Sequence, residues 1–149
     1  KPAMPVSTAI VWLKSVSAVL MIGFGIMFAA AAYPPLSWPV DVLVDLLFWP
    51  FDGAQSVAAP ETRIILAIGG GITAGWGVLV WQVASHLMPS NPALARTILL
   101  NSLLTWFVID STCPWLAGAP INILANTVFL TMFLWPLLQM ERRSAVAAS

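Results

Sequence analysis

The sequence predicts an all-α integral membrane protein, and three observations support this fold class. Hydrophobic residues make up 60% of the 149 residues and charged residues only 8%, whereas about a quarter of the residues in a soluble domain are charged. Apolar runs long enough to span a bilayer recur along the chain. Most of the 12 prolines lie between these runs or at their ends. We therefore expect lipid, not water, to surround most of the helix surfaces.

The first apolar run, at about 7–32, is long enough to cross roughly 30 Å of hydrocarbon as a helix. A cleaved signal peptide is the alternative, because Ala29 to Ala32 is a run of small residues. However, Lys14 lies inside the run, which also exceeds the usual signal-peptide core of about 7 to 15 residues. We expect a retained span in which the Lys14 ammonium extends to the interface.

The connector after the first run contains prolines at positions 34, 35, 39, 50 and 60, which leave no room for another span. Residues 39–49 can still form a short helix, with Asp41 and Asp45 one turn apart on the same face. We expect this amphipathic helix to lie at the membrane interface, with Trp38 and Trp49 at the level of the lipid headgroups. A short half-inserted hairpin is the alternative.

The remaining apolar runs predict three more spans, at about 62–87, 92–112 and 120–140. Asn91 and Pro92 suit the N-cap and the first position of the third span, and the chain is expected to turn around Pro114 and Gly118. Because the spans are even in number and joined by short turns, we predict an antiparallel four-helix bundle. It would form a single membrane domain over residues 1–149.

Basic residues are unevenly distributed over the predicted turns. The side that holds both termini carries Lys1, Lys14, Arg96, Arg142 and Arg143. The opposite side carries Arg63. The positive-inside rule therefore predicts that both termini are cytoplasmic.

The clearest chemical signal is a polar group at the turn between the last two spans. Asp110 ends the third span, and Asn122 and Asn126 lie one turn apart at the start of the fourth. A carboxylate costs roughly 2.5 to 3.5 kcal/mol at the centre of a membrane helix and somewhat less near its end, so it normally has a partner or a function.

Two interpretations of this polar group stay open. In the structural one, the amides bond to Asp110 and to backbone groups freed by the nearby prolines. In the functional one, Asp110, Asn122 and Asn126, together with Asn101 in the third span, form a ligand-binding pocket in which Asp110 accepts a proton or orients the ligand. The structural interpretation is the commoner of the two in membrane proteins.

A stripe of small residues lies on the second predicted span. Ala67, Gly71 and Gly75 are each four residues apart, a spacing that lets another helix backbone approach closely. We predict that this stripe packs against a helix. Room for a ligand or a cofactor against the backbone is the alternative.

Single residues limit the cofactors that the chain can hold. One cysteine, Cys113, excludes an internal disulfide, and one histidine, His86, excludes a bis-histidine haem or a multi-histidine metal site within one chain. His86 lies at the cytoplasmic end of the second span, an ordinary place for a histidine. We therefore expect it not to ligate haem or chlorophyll, and we predict no cofactor and no metal.

The net charge is zero, since six basic residues balance six acidic ones. The chain has no run of Lys or Arg that would neutralise phosphates, so we predict that it does not bind nucleic acid. The expected partners are the lipid bilayer and other integral membrane subunits.

The order of one span, a Pro-rich acidic connector and three further spans resembles small bacterial inner-membrane proteins of the DoxX-like, four-helix kind. Three segments also resemble uncharacterised proteobacterial membrane proteins of this size, namely 47–53 (LFWPFDG), 66–77 (LAIGGGITAGWG) and 106–111 (WFVIDS). The resemblance covers nearly the whole chain and implies a bacterial inner, or cytoplasmic, membrane. The related vitamin K reductase-type bundle depends on a cysteine pair, whereas this chain has Cys113 alone. That difference argues against quinone or disulfide catalysis by this chain.

Two functions are compatible with these observations. In the first, the chain is a non-catalytic accessory or assembly subunit of a larger respiratory or photosynthetic membrane complex, and it docks through its glycine and tryptophan surfaces. In the second, it is an independent small-molecule carrier or redox-accessory protein of the DoxX-like kind, with a pocket near Asp110. The first is favoured, because no nucleophile–base pair, phosphate loop or metal-ligand spacing is apparent.

Overall fold

A computed structural model describes residues 3–140 of the chain. Apart from one isolated bridge between Met4 and Met140, the regular structure of these residues is helical. This finding confirms the predicted all-α fold class. The longer helices are numbered here α1 (Val6–Ala30), α2 (Trp38–Phe48), α3 (Pro60–Leu87), α4 (Pro92–Leu116) and α5 (Ile121–Gln139).

Helices α1, α3, α4 and α5 are long and apolar enough to cross a membrane, with mean hydropathies of 1.9, 1.8, 1.4 and 1.7. Large apolar side chains are exposed on their outer faces, as at Ile72 on α3 and Leu124 on α5. Such faces suit a hydrocarbon solvent, in which a helix satisfies its own backbone hydrogen bonds. The chain is therefore a multi-pass membrane protein by the length and composition of its helices.

Helix α4 begins as the sequence predicts. The Asn91 side chain caps it, since its Oδ1 accepts a hydrogen bond of 3.0 Å from the backbone N–H of Leu94. Pro92 occupies the first turn, where its missing N–H leaves no bond unmade.

The end of α4 differs from the prediction. The predicted span at 92–112 stops before Pro114, whereas the helix continues through this proline to Leu116. The expectation that the chain turns at Pro114 is therefore wrong. Instead the turn falls at residues 117–120, where Gly118 has a φ of +92°, a conformation that glycine adopts at little cost.

Glycines bring α1 and α3 into close contact. A Cβ atom on Gly25 would meet the backbone of Gly70 and Ala74, and one on Gly70 would meet the backbone of Gly25 and Ala29. Larger side chains at these positions would force the two helices apart. The small residues of α3 that pack against α1 therefore include those at 70, 74 and 77, next to the predicted stripe.

Three side-chain hydrogen bonds connect α1 with α3, α1 with α5 and α3 with α4. Ser17 Oγ on α1 donates to the Gly77 carbonyl on α3 at 2.6 Å. The other two bonds come from indole N–H groups, which usually find an acceptor when buried. They run from Trp12 to the Met132 carbonyl and from Trp76 to Ser102 Oγ, each at 2.8 Å.

Helix α2 is tied to the loop that follows it by its two aspartates. Asp45 accepts backbone N–H bonds from Gly53 and Gln55, and Asp41 accepts one from Val57 at 2.7 Å. The acidic face of the predicted amphipathic helix therefore binds the part of the connector that follows the helix, at residues 53–57. Because the connector has no helix or sheet to satisfy its own N–H groups, these carboxylates take that role.

Candidate functional site

The predicted polar group at the turn between α4 and α5 forms around a single backbone carbonyl. Pro114 has no N–H, so the carbonyl of Asp110, four residues earlier, lacks its helical donor. Two side-chain amides replace that donor: Asn122 Nδ2 lies 2.6 Å from Asp110 O, and Asn126 Nδ2 lies 2.9 Å from it. This compensation explains why α4 continues through a proline.

The side chain of Asp110 has a second set of contacts. Its Oδ2 accepts a hydrogen bond of 3.0 Å from Asn126 Nδ2. The same amide lies 3.3 Å from Ser111 Oγ, and both Asn126 and Ser111 are buried. Asp110 itself is half-buried. Two side-chain hydrogen bonds thus reach the backbone carbonyl of Asp110, whereas its carboxylate accepts one described hydrogen bond, from Asn126.

Asp110 is also one of the residues that line a cavity of about 180 Å³. The polar residues Asp110, Asn122, Asn126 and Thr73 contribute to its wall. Much of the remaining wall is aromatic, with side chains from α1, α3, α4 and α5: Phe24, Phe28, Trp76, Trp106, Phe129 and Phe133. A few convergent polar groups in an otherwise apolar concavity are typical of a small-molecule site.

Two further structural features border the cavity. Leu20 and Met21 line it from a π-helical stretch of α1, Ser17–Gly23, and such stretches are frequent at functional sites. Leu43 and Leu47 line it from α2. Since the aspartates of α2 hold the connector, helix α2 forms a wall of the cavity that is fixed to the loop behind it.

Asn101 does not join the other predicted ligand residues. It is exposed on α4 and is absent from the cavity wall. At about 100° per residue, nine residues of helix separate Asn101 from Asp110 by about 180°. The two side chains therefore lie on opposite faces of α4, and the structure does not bring Asn101 to Asp110, Asn122 and Asn126.

In the stripe of small residues predicted for helix packing, the two glycines have no neighbour from the rest of the described chain on their outer side. Nothing lies within 4 Å of a Cβ built on Gly71 or Gly75, and both residues are exposed, while Ala67 is half-buried. Packing of this stripe against another chain stays a prediction.

The predicted cofactor candidate lies away from the cavity. His86 is exposed at the end of α3. Among residues 3–140, no group of three or more His, Cys, Asp or Glu side chains is placed to hold a metal ion. The expectation that His86 does not ligate haem or chlorophyll stays a prediction.

Sequence reasoning missed the aromatic wall, although a signal for part of it exists. Leu103, Trp106 and Asp110 are spaced by three and four residues, which places them on one face of α4. Asn122, Asn126 and Phe129 follow the same spacing on α5. Extending the periodicity outward from the polar residues would have found these neighbours.

No protein-family model, curated protein or solved structure matches the chain. The resemblance to DoxX-like proteins therefore stays a prediction from the order of the spans and the connector. Evidence for function has to come from the cavity and from the residues that line it.

Proposed function

We propose that the chain is an independent membrane protein that binds a small lipophilic molecule in the cavity beside Asp110. The observation that carries this proposal is that Asp110, an ionisable residue, lines a mostly aromatic and aliphatic cavity of about 180 Å³ between membrane-spanning helices. An ionisable group inside such a bundle is costly and generally has a function. Binding, not catalysis, is the proposed activity, because the polar lining groups are a carboxylate, amides and a hydroxyl without an evident nucleophile–base pair.

The proposed role is that of a carrier or a redox-accessory protein, which are the functions that the DoxX-like resemblance implies. No bound cofactor is part of this proposal. The amides of Asn122 and Asn126 support it, because they hold the backbone of Asp110 and so fix the position of its carboxylate. A pre-organised polar group loses less entropy when a ligand binds.

Filling the cavity tests this proposal. Ala125 lines the cavity, and Val128 is half exposed on the same helix. We expect a small molecule to co-purify with the wild type and with V128F, and to be lost from A125F, when extracts are compared by mass spectrometry. Equal extracts from the two variants, with unchanged circular dichroism, would contradict the proposal.

We further propose an antiparallel bundle in a bacterial inner membrane with both termini cytoplasmic. The hydrogen bond from Met4 N to Gln139 O, at 2.7 Å, supports it by joining the two described ends of the chain. In this arrangement Asp110 lies toward the periplasm, and α2 lies at that interface with Trp38 and Trp49 exposed.

The single cysteine offers a test of this orientation, because Cys113 is exposed near the end of α4 that carries Asp110. A membrane-impermeant maleimide should label it in spheroplasts without permeabilisation, and C113S should abolish the label. Labelling only after the membrane is opened would reverse the proposed orientation.

The accessory-subunit function is a second candidate, favoured by the open faces of Gly71 and Gly75. A neighbouring helix of a respiratory or photosynthetic complex can approach such a face closely. This function requires stoichiometric co-migration with other integral membrane subunits after mild detergent extraction. G71L should disrupt that co-migration, whereas I72L, on the exposed surface of the same helix, should preserve it.

A further inference from the structure

The carboxylate of Asp110 has acceptor capacity that its described contacts do not fill. An ionised carboxylate offers about four acceptor positions, and Asp110 Oδ2 receives one described hydrogen bond, from Asn126. The amide of Asn126 carries no charge, so it does not neutralise the carboxylate. Because Asp110 lines the cavity, a ligand that enters it can approach this partly unfilled acceptor.

Basic side chains of the described chain are engaged or remote. Lys14 Nζ lies 4.6 Å from the centre of the Trp81 ring. Arg63 Nη1 donates to a backbone carbonyl at 2.8 Å. Arg96 lies about 21 Å from Asp110 along α4, at 1.5 Å per residue. None of these contacts supplies a counter-ion to Asp110.

Aromatic rings face the same cavity. The Trp76 and Trp106 rings lie 5.8 Å apart, and the Phe129 ring packs edge-on to Trp106 at 6.4 Å. The N–H of Trp76 is already bonded to Ser102. Since this N–H already has an acceptor, Trp76 does not need one from a ligand. The ring faces can contact apolar groups, or a cation, which aromatic faces attract within about 6 Å.

The size of the cavity limits the ligand. An engineered apolar cavity of roughly 150 Å³ in another protein binds benzene, so a volume of about 180 Å³ suits one ring with small substituents. A neutral hydrocarbon of that size would desolvate Asp110 without replacing its lost contacts. A cation of that size would instead neutralise the charge of the Asp110 carboxylate.

We propose that the cavity selects a small lipophilic organic cation, with an ammonium group beside Asp110 and an apolar body between Trp76, Trp106 and Phe129. This proposal rests on the proposed binding function and names its ligand class. The carboxylate supplies the charge complement, and the rings supply dispersion and cation–π attraction.

A pair of probes with the same shape tests this ligand class. Phenyltrimethylammonium is a permanent cation, and tert-butylbenzene has a carbon atom in place of the nitrogen. We would measure the binding of each probe by saturation-transfer NMR to the full chain in nanodiscs. The A125F variant, with its cavity filled, gives the signal that arises from partition into lipid.

The proteins compared are the wild type, D110N and D52N. Asp52 is exposed in the connector, so D52N makes the same chemical change outside the cavity. We expect the wild type and D52N to bind the cation at least about tenfold more tightly than the hydrocarbon, and D110N to lose most of that preference.

The two levels of the proposal fail differently. If the wild type binds the hydrocarbon as tightly as the cation, the ligand class is wrong. If D110N keeps the preference for the cation, Asp110 is not the group that selects it. In both cases the binding function stands. If neither probe distinguishes the wild type from A125F, the binding function itself is wrong.

Discussion

Asp45 and Asp110 both have carboxylates that accept hydrogen bonds, yet the two carboxylates differ in how many donors they have. Asp45 is 3% exposed, and its two oxygens accept backbone N–H bonds from Gly53 at 2.9 Å and Gln55 at 3.3 Å. Asp110 is half-buried beside a cavity, and its carboxylate accepts one described bond, from Asn126. A carboxylate that accepts hydrogen bonds from the backbone of a loop holds that loop in place. A carboxylate with free acceptor positions can bind a ligand.

The comparison also separates two roles within Asp110. Its backbone carbonyl carries the structural bonds, because Pro114 leaves it without a helical donor and Asn122 and Asn126 replace that donor. The carboxylate is a separate group that can be changed while these bonds persist. At Asp45 no such separation exists, since the carboxylate itself makes the structural bonds.

The largest effect on stability is expected for D45N. An amide offers one acceptor oxygen, and its NH₂ group would face one of the two backbone N–H donors that Asp45 now receives. Losing a hydrogen bond to a charged group and leaving a part-buried donor unpaired costs about 2–3 kcal/mol. SDS titration in mixed micelles, followed by circular dichroism, measures this change in the free energy of unfolding.

The control for D45N is D52N in the same connector. Asp52 Oδ1 accepts a single bond from the backbone of Ala54, which an asparagine oxygen can also accept. We expect D52N to unfold like the wild type. If D45N also did so, the carboxylate of Asp45 would not be what holds the connector.

The second effect is expected for N126A, at about 1–2 kcal/mol. Polar contacts between membrane helices average about 0.6 kcal/mol, and this amide makes several. Asn122 would still donate to the Asp110 carbonyl, which limits the loss. The same titration measures the change, and T127A, on the exposed side of α5, is the control. A loss no greater than that of T127A would mean that Asn126 does not stabilise the turn.

The meeting of Asp110 with Asn122 and Asn126 could be predicted from the sequence, because a short turn brings the end of one helix to the start of the next. Helical periodicity could also have excluded Asn101, which lies about 180° from Asp110 on the same helix. Amide chemistry and depth in the membrane do not by themselves place Asn101 beside Asp110, because the angle around the helix also decides which side chains meet.

Other features depend on contacts that no single segment encodes. Helix α3 has small residues on more than one face, and Gly70 is used inside the chain because Gly25 and Ala29 of α1 lie opposite it. The aspartates of α2 suit a polar interface by their spacing alone. Their bonds to residues 53–57 arise from the path of a connector whose sequence has no regular period.

The third effect is a coupling between Pro114 and Asn126. In P114A, an N–H at residue 114 can again donate to the Asp110 carbonyl, so the amides become less necessary. We expect N126A to cost about 0.5–1 kcal/mol less in the P114A background than in the wild type. A double-mutant cycle of unfolding free energies measures this difference. Equal costs in both backgrounds would mean that the amides do not replace the helical donor.

The smallest effect on stability is expected for D110N, at less than about 0.5 kcal/mol. The backbone carbonyl keeps its bonds to Asn122 and Asn126, and the new amide oxygen can accept the bond that Asn126 now donates to Oδ2. The same substitution should therefore destabilise the protein at Asp45 and leave its unfolding nearly unchanged at Asp110, while the affinity for phenyltrimethylammonium should fall only at Asp110. If D110N destabilised the chain as much as D45N, both carboxylates would be structural, because a group retained for ligand binding contributes little to the stability of the empty protein.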